Sequence, residues 1–160
     1  GVHLQLGRAG GDGGRLPDGR IPAPGDPATE GDRTLRGVAQ GLAGRVAEAM
    51  EVFAFHRALE AIWELLNAGN KYLDEQKPWE LAKRDREALA RVLGHTCEAL
   101  RLAGLFLSPF VPATAEKLWA QLGMGTAPRR LTDIERWPGL SPDQPIGSKR
   151  VLFPKPEPAA

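Results

Sequence analysis

Cysteine and histidine are scarce in this chain of 160 residues, which holds one cysteine and three histidines. A single cysteine excludes an intramolecular disulfide and fits a reducing compartment. Because a structural zinc site usually takes four cysteine or histidine ligands, so small a set also argues against one. Cys97 lies within an apolar helical run, which predicts a small core residue.

An excess of charge is also absent, since 21 lysines and arginines face 20 aspartates and glutamates, for a formal net charge of +1. So small a net charge gives no strong positive electrostatic field of the kind that indicates a nucleic-acid partner. Any binding to RNA must therefore rest on a local patch of positive charge. The sequence has no apolar run long enough to cross a membrane, and its glycine-rich start lacks the charged-then-apolar order of a signal peptide. We therefore expect a cytoplasmic protein with no membrane partner.

Strand-like alternation and internal repeats are absent too, whereas apolar residues recur at helical spacing. The predicted fold class is all-α, an anticipated bundle of about four to five helices with a loop-like C-terminal tail folding back. The first helix should start with Asp32 or Thr34 as its cap and end near Val52, despite three interior glycines. The other predicted helices run from Phe53 or Phe55 to Gln76, from Asp85 to Leu107, and from Pro109 to about Gly123.

Glycine and proline are concentrated at the two ends of the chain. Residues 1–32 carry no helical or strand period, which predicts a flexible arm or linker remnant. Residues 33–125 form the predicted helical domain, and 126–160 the predicted tail. The apolar run from Val151 to Phe153 should pack that tail against the bundle.

Four segments carry a more specific pattern. Pro78 ends a helix that contains Asn70 and Tyr72, and a tryptophan follows it directly. The four segments are Phe55-His56-Arg57-Ala58-Leu59, Asn70-Lys71-Tyr72 with Pro78-Trp79, Leu107-Ser108-Pro109-Phe110-Val111-Pro112, and Trp137 with Leu152-Phe153-Pro154. In this order, over about 19–155, they resemble the helical anticodon-binding domain of methionyl-tRNA synthetase. Synthetases for leucine, isoleucine, valine and cysteine share the architecture, but the spacing from Asn70 to Trp79 points to methionine.

The same resemblance shows what is missing. The family's catalytic domain, which holds its ATP and methionine sites, has no counterpart in this sequence. The resemblance thus implies no catalytic residues, no cofactor and no activity from this chain alone. We expect a truncated or freestanding relative of the synthetase. The extra oligonucleotide-binding domain that dimerises some members is also absent, which favours a monomer.

The resemblance assigns Trp137 to the position of the tryptophan that stacks on the first anticodon base, a contact worth roughly 1–3 kcal/mol. The alternative for Trp137 is a hydrophobic pin that holds the tail. His56 and Glu60, one turn apart on a helix, match positions where several members use asparagine and arginine to read bases. An acid at position 60 could accept only from a base amino group such as that of cytosine. The alternative for this pair is a solvated acid beside a surface histidine.

Three arginines near Trp137 in the sequence are candidate phosphate contacts: Arg129, Arg130 and Arg136. Asn70 and Tyr72 are predicted to be structural, bonding backbone or each other inside the bundle. The remaining tryptophans, Trp63, Trp79 and Trp119, are predicted to lie in the core.

Three functions remain open at this stage. The first is binding of methionine tRNA through its anticodon stem-loop. The second is a degenerate bundle that no longer binds tRNA and serves as a protein interaction module. The third is half of a split enzyme that docks on a separate synthetase catalytic chain, which would require an apolar patch on the bundle near the tail at Val151–Phe153.

Overall fold

The computed structural model describes residues 19–125 and 136–147 of the chain. Within them, five α-helices follow one another: α1 (Glu30–Glu51), α2 (Phe55–Gln76), α3 (Pro78–Arg84), α4 (Arg86–Leu107) and α5 (Pro112–Gln121). No strand occurs in these two ranges, where β pairing is limited to one isolated bridge between Arg20 and Pro145. The all-α prediction is confirmed.

Helix α1 begins earlier than its glycines and polar residues suggest. Thr29 is the cap, and its side chain accepts from the amide of Asp32 while the Asp32 side chain accepts from the amide of Thr29. The prediction of Asp32 or Thr34 as the cap was therefore wrong, because Asp32 is the reciprocal partner at the third helical position. The helix continues unbroken to Glu51, one residue short of the predicted end.

The junction after α2 contains a helix that the sequence did not predict. Lys77 has φ 48° and ψ 63°, the left-handed conformation, and serves as both the C-cap of α2 and the N-cap of α3. Pro78 then opens α3, where its missing amide is no loss. Trp63 and Trp79 are 38% and 46% exposed. Their assignment to the core was wrong, because Trp63 lies on the outward face of α2 and Trp79 on the outward face of the short helix α3.

Helix α4 is the centre of the bundle. It contacts α1, α2, α3 and α5, and every residue from Val92 to Leu107 is buried. The sequence predicted burial of one apolar face, but a helix surrounded on all sides is buried all round. Cys97 is 2% exposed, as predicted. The fourth predicted helix starts at Pro112 rather than Pro109, with Pro112 in its first turn.

The chain segments on either side of the bundle meet each other. The Ile21 amide donates to the Gln144 carbonyl at 2.8 Å, and the Asp143 amide donates to the Ile21 carbonyl at 2.9 Å. Ile21 is 2% exposed, so this part of the predicted arm packs against the bundle more closely than its composition suggests. The division into arm, bundle and tail stays a prediction, since residues 1–18, 126–135 and 148–160, including Val151–Phe153, lie outside the described ranges.

Candidate nucleic-acid interface

Trp137 lies against α4 in the segment 136–140, partly buried and packed on the core. Its ring centroid is 6.0 Å from that of His95, with the two planes tilted by 56°. The peptide bond between Trp137 and Pro138 is cis. The ring therefore packs on the bundle without being enclosed, and both of its expected roles, base stacking and holding the tail, stay predictions.

Two buried charges of α4 bind the backbone on either side of Trp137. One oxygen of Glu98 accepts from the amides of Gly139 at 2.9 Å and Leu140 at 2.6 Å. The other oxygen accepts from Nε of Arg101 at 2.8 Å. Arg101 in turn donates through Nη2 to the carbonyl of Arg136 at 2.5 Å. The segment is therefore tied to α4 both before and after its tryptophan.

At Gly139 the segment passes very close to the Arg101 side chain. A Cβ atom at position 139 would lie 2.6 Å from both Nε and Nη2 of Arg101. Contacts of that length do not occur between real side chains, so any larger residue must displace the guanidinium or the segment.

His95 contacts the backbone of its own helix. Its Nδ1 lies 3.0 Å from the Arg91 carbonyl. A carbonyl can only accept, so Nδ1 carries the hydrogen at this contact. His95 Nε2 and Trp137 Nε1 are both buried and have no hydrogen-bond partner within the described ranges.

Cationic side chains lie on the outer side of this segment. The Arg36 guanidinium carbon of α1 is 6.0 Å above the centroid of the Trp137 ring, within the range of a cation–π contact. Arg136 is exposed, as a phosphate contact requires. Arg129 and Arg130, the other two predicted phosphate contacts, lie outside the described ranges.

The structure does not bring His56 and Glu60 to Trp137. Both are exposed near the start of α2. Arg45 and Glu64 form an ion pair of 2.6 Å, which shows where α1 and α2 lie opposite each other. At a rise of about 1.5 Å per residue, Glu60 lies on the order of 20 Å along the bundle from Arg36, and His56 further still. Their role in base reading stays a prediction.

The position of Arg36 depends on a buried network at the start of α1. Asp32 is 0% exposed and accepts from the Tyr72 hydroxyl at 2.5 Å and from Nε of Arg91 at 3.0 Å. Burial opposes ionisation of Asp32, but the hydrogen bonds from Tyr72, Thr29 and the Ala28 amide outweigh it and lower the pKa to about 2. Burial, followed by the bond to Asp32, raises the pKa of Tyr72. Tyr72 is structural, as predicted, but its hydroxyl donates to the Asp32 carboxylate and not to the backbone or Asn70.

The ranges that the structure covers hold no assembled metal-binding cluster. No cluster of three histidine, cysteine, aspartate or glutamate side chains there could hold a metal ion. Burial, with the neighbouring charge of Glu98, raises the pKa of Cys97 to about 12, which makes it a poor nucleophile. None of the described helices is both long and apolar enough to cross a membrane.

Sequence reasoning missed the residues that hold Trp137: His95, Glu98 and Arg101 on α4, and Arg36 on α1. The sequence did carry a signal for Glu98 and Arg101: charged residues in the middle of an apolar helix are costly to bury unless they are paired, so partners were to be expected. The partners could not be read, since they lie about 40 residues away, as the 41 positions between Glu98 and Gly139 illustrate.

Comparison with known proteins agrees with the resemblance. The sequence model of a family described as "Anticodon binding domain of methionyl tRNA ligase" matches residues 21–156. Methionine–tRNA ligase 1 of Bacillus cereus is 47% identical over 108 residues, which are 66% of this chain and 16% of the relative. The Lactococcus lactis methionine–tRNA ligase is 39% identical over 141 residues, 86% of this chain and 21% of the relative.

A solved structure gives the same result. The apo form of Mycobacterium tuberculosis methionyl-tRNA synthetase superposes with a TM-score of 0.74 at 34% identity, covering 89% of this chain and 29% of that one. The chain thus spans less than a third of the length of the relatives it matches. With the family match extending over most of the sequence, the chain belongs to the family of methionyl-tRNA ligase anticodon-binding domains.

Proposed function

We propose that this chain binds the anticodon stem-loop of methionine tRNA, with a base stacked on Trp137. The observation that carries the proposal is a partly exposed indole ring held on the bundle surface beside two arginines, Arg36 and Arg136. Stacking on an aromatic face contributes roughly 1–3 kcal/mol per base and needs no large positive field. That suits a chain whose net charge is only +1.

A titration with methionine tRNA, and with the same tRNA carrying a changed anticodon, tests this proposal. We expect weaker binding of the changed tRNA and a further loss with Trp137→Ala of about tenfold, the size of one stacking contact. Equal affinity for the two tRNAs would contradict anticodon recognition. We also propose that the chain acts in the cytoplasm, where such a tRNA ligand would be available.

The predicted base-reading pair has its own test. If Glu60 accepts from a base amino group, Glu60→Gln should change the ratio of the two tRNA affinities, because an amide can also donate. If His56 and Glu60 are a solvated pair, neither Glu60→Gln nor His56→Ala should change that ratio. The separation of this pair from Trp137 means that it would contact a different part of the RNA.

A second candidate function is docking on a separate synthetase catalytic chain. Large apolar side chains are exposed at the connection between α1 and α2, with Val52, Phe53 and Phe55 at 65%, 78% and 49% exposure. Leu59 and Trp63 follow at four-residue spacing and extend this surface along α2.

The docking function is tested by sedimentation: the chain by itself should sediment as a monomer and should form a complex with a synthetase catalytic domain. Phe53→Ser should abolish that complex, and failure to form one would exclude docking.

A further inference from the structure

His95, Glu98 and Arg101 form one ridge of α4 that faces the segment 136–140. They are spaced three residues apart, so their side chains lie on one face of the helix. His95 contacts the Trp137 ring, Glu98 binds the amides of Gly139 and Leu140, and Arg101 binds the carbonyl of Arg136. All three side chains are at most 2% exposed.

The ridge is chemically costly, which argues that it has a specific role. Two charges removed from water stabilise a fold only when every donor and acceptor is matched. Here both oxygens of Glu98 are used, one by Arg101 and the other by two amides of the segment. An apolar side chain at either position could fill the space but could not hold the backbone of a loop.

We infer that Glu98 and Arg101 are positioning residues that fix Trp137 for RNA binding, and this inference rests on the proposed function. Because the backbone is held on both sides of Trp137, the ring is ordered before RNA arrives. Binding then need not include the entropic cost of ordering the loop, which raises affinity without any contact between the ridge and RNA.

Glu98→Gln tests the inference with little change in volume. A glutamine can still accept from the amides of Gly139 and Leu140, but its amide group faces the Arg101 guanidinium, and two donors repel each other. Should that variant fail to fold, Gly139→Ala acts from the loop side, since its Cβ would collide with Arg101. Glu64→Gln is the matched control, because it breaks the exposed ion pair with Arg45, away from Trp137.

The first measurement needs no RNA. In the full chain labelled with fluorotryptophan, the ¹⁹F signal of Trp137 is identified by its loss in Trp137→Ala. Glu98→Gln or Gly139→Ala should shift or broaden this signal and leave those of the other tryptophans in place. Glu64→Gln should leave the Trp137 signal unchanged. An unmoved Trp137 signal in both loop variants would overturn the inference.

The second measurement is a double-variant cycle on affinity for methionine tRNA. Glu98→Gln should weaken binding by about threefold in the otherwise wild-type chain, a part of the roughly tenfold loss expected when the stacking ring is removed. It should cause no further loss in the Trp137→Ala background, because it acts through that ring. An equal loss in both backgrounds would indicate a defect of the whole bundle and overturn the inference.

The two failures are distinguishable. If Trp137→Ala itself leaves tRNA affinity unchanged, the proposed stacking function is wrong. The ¹⁹F signal then still decides whether the ridge holds the ring. If Trp137→Ala weakens binding while Glu98→Gln and Gly139→Ala do not, the function stands and the positioning role is wrong.

Discussion

Buried carboxylates in this bundle lie where separate parts of the chain must be joined. Asp32 connects the start of α1 to α2 through the Tyr72 hydroxyl and to α4 through Arg91. Glu98 connects α4 to the segment that carries Trp137. Each accepts several hydrogen bonds, which is the condition under which an ionised group is tolerated in a low-dielectric interior. These two carboxylates therefore fix how the joined parts of the chain lie against one another.

Asp32 should make stability dependent on pH in the acid range. Its pKa falls from the ordinary value of 3.8 to about 2, so the stabilising contribution of roughly 2 kcal/mol is fully present above pH 4. It is lost as the pH falls through about 2. At pH 7, Asp32→Asn should unfold at a lower denaturant concentration than the wild-type chain. Between pH 4 and pH 2, the variant should lose less stability than the wild-type chain does. Urea titrations at a series of pH values measure both effects, and parallel curves for the two proteins would contradict this account.

At the scale of elements, glycine has opposite effects on stability in α1 and α4. Gly37, Gly41 and Gly44 lie on the exposed side of α1, where an added Cβ would meet nothing within 4 Å. Gly94 of α4 is crossed by the N-terminal segment, and a Cβ there would lie 2.6 Å from the Pro24 backbone. The first set lowers helix propensity, whereas Gly94 allows two segments to pack closely.

Alanine should therefore stabilise one helix and destabilise the other. Gly41→Ala should raise the free energy of unfolding by about 0.5–1 kcal/mol, the difference in helix propensity. Gly94→Ala, the matched control, should lower it, because the backbone of Pro24 cannot move aside as a flexible side chain could. Chemical denaturation of the two variants measures whether each substitution raises or lowers the free energy of unfolding. Destabilisation by Gly41→Ala would mean that α1 contacts something on its glycine side.

The junction between α2 and α3 offers a second test at this scale. Lys77 adopts φ 48°, a conformation that costs an ordinary residue about 1–2 kcal/mol. Lys77→Gly should relieve that cost and, after the entropy that glycine loses on folding, stabilise the chain by about 0.5 kcal/mol. Lys71→Gly, in the interior of α2, should instead cost about 1 kcal/mol. Equal destabilisation by both would contradict the left-handed junction.

Helix periodicity and breakers were readable from the sequence to within a few residues. The ends of α4 and the helical fold followed from apolar spacing, and Pro78 marked the end of α2. The left-handed Lys77 was not readable, because only glycine or asparagine would have signalled it. The ridge of α4 was not readable either, since its partners Gly139 and Leu140 come from a distant loop that no local pattern connects to it.

At the scale of the whole molecule, the segments before α1 and after α5 close on each other. Amides of Ile21 and Asp143 exchange hydrogen bonds with the carbonyls of Gln144 and Ile21, and the Ile146 amide donates to the Gly19 carbonyl at 3.0 Å. The second segment is the continuation of the one that carries Trp137. Packing of the N-terminal segment should thus stabilise the candidate RNA-binding surface as well as the bundle.

Ile21 is the anchor of this closure. Ile21→Ala should lower the free energy of unfolding by about 3 kcal/mol, the usual cost of truncating a buried aliphatic side chain. Val52→Ala, at a site 65% exposed, should change it by less than about 0.5 kcal/mol. Urea denaturation compares the two. Hydrogen exchange at the Asp143 and Ile146 amides should also accelerate in Ile21→Ala, and unchanged exchange would contradict the coupling.

The most direct test of the central claim is the affinity of the full chain for methionine tRNA, measured at two salt concentrations with and without Trp137→Ala. The account predicts binding that weakens with salt, that weakens when the anticodon is changed, and that loses about tenfold in affinity with Trp137→Ala. Binding that is insensitive to both the anticodon and Trp137 would contradict it.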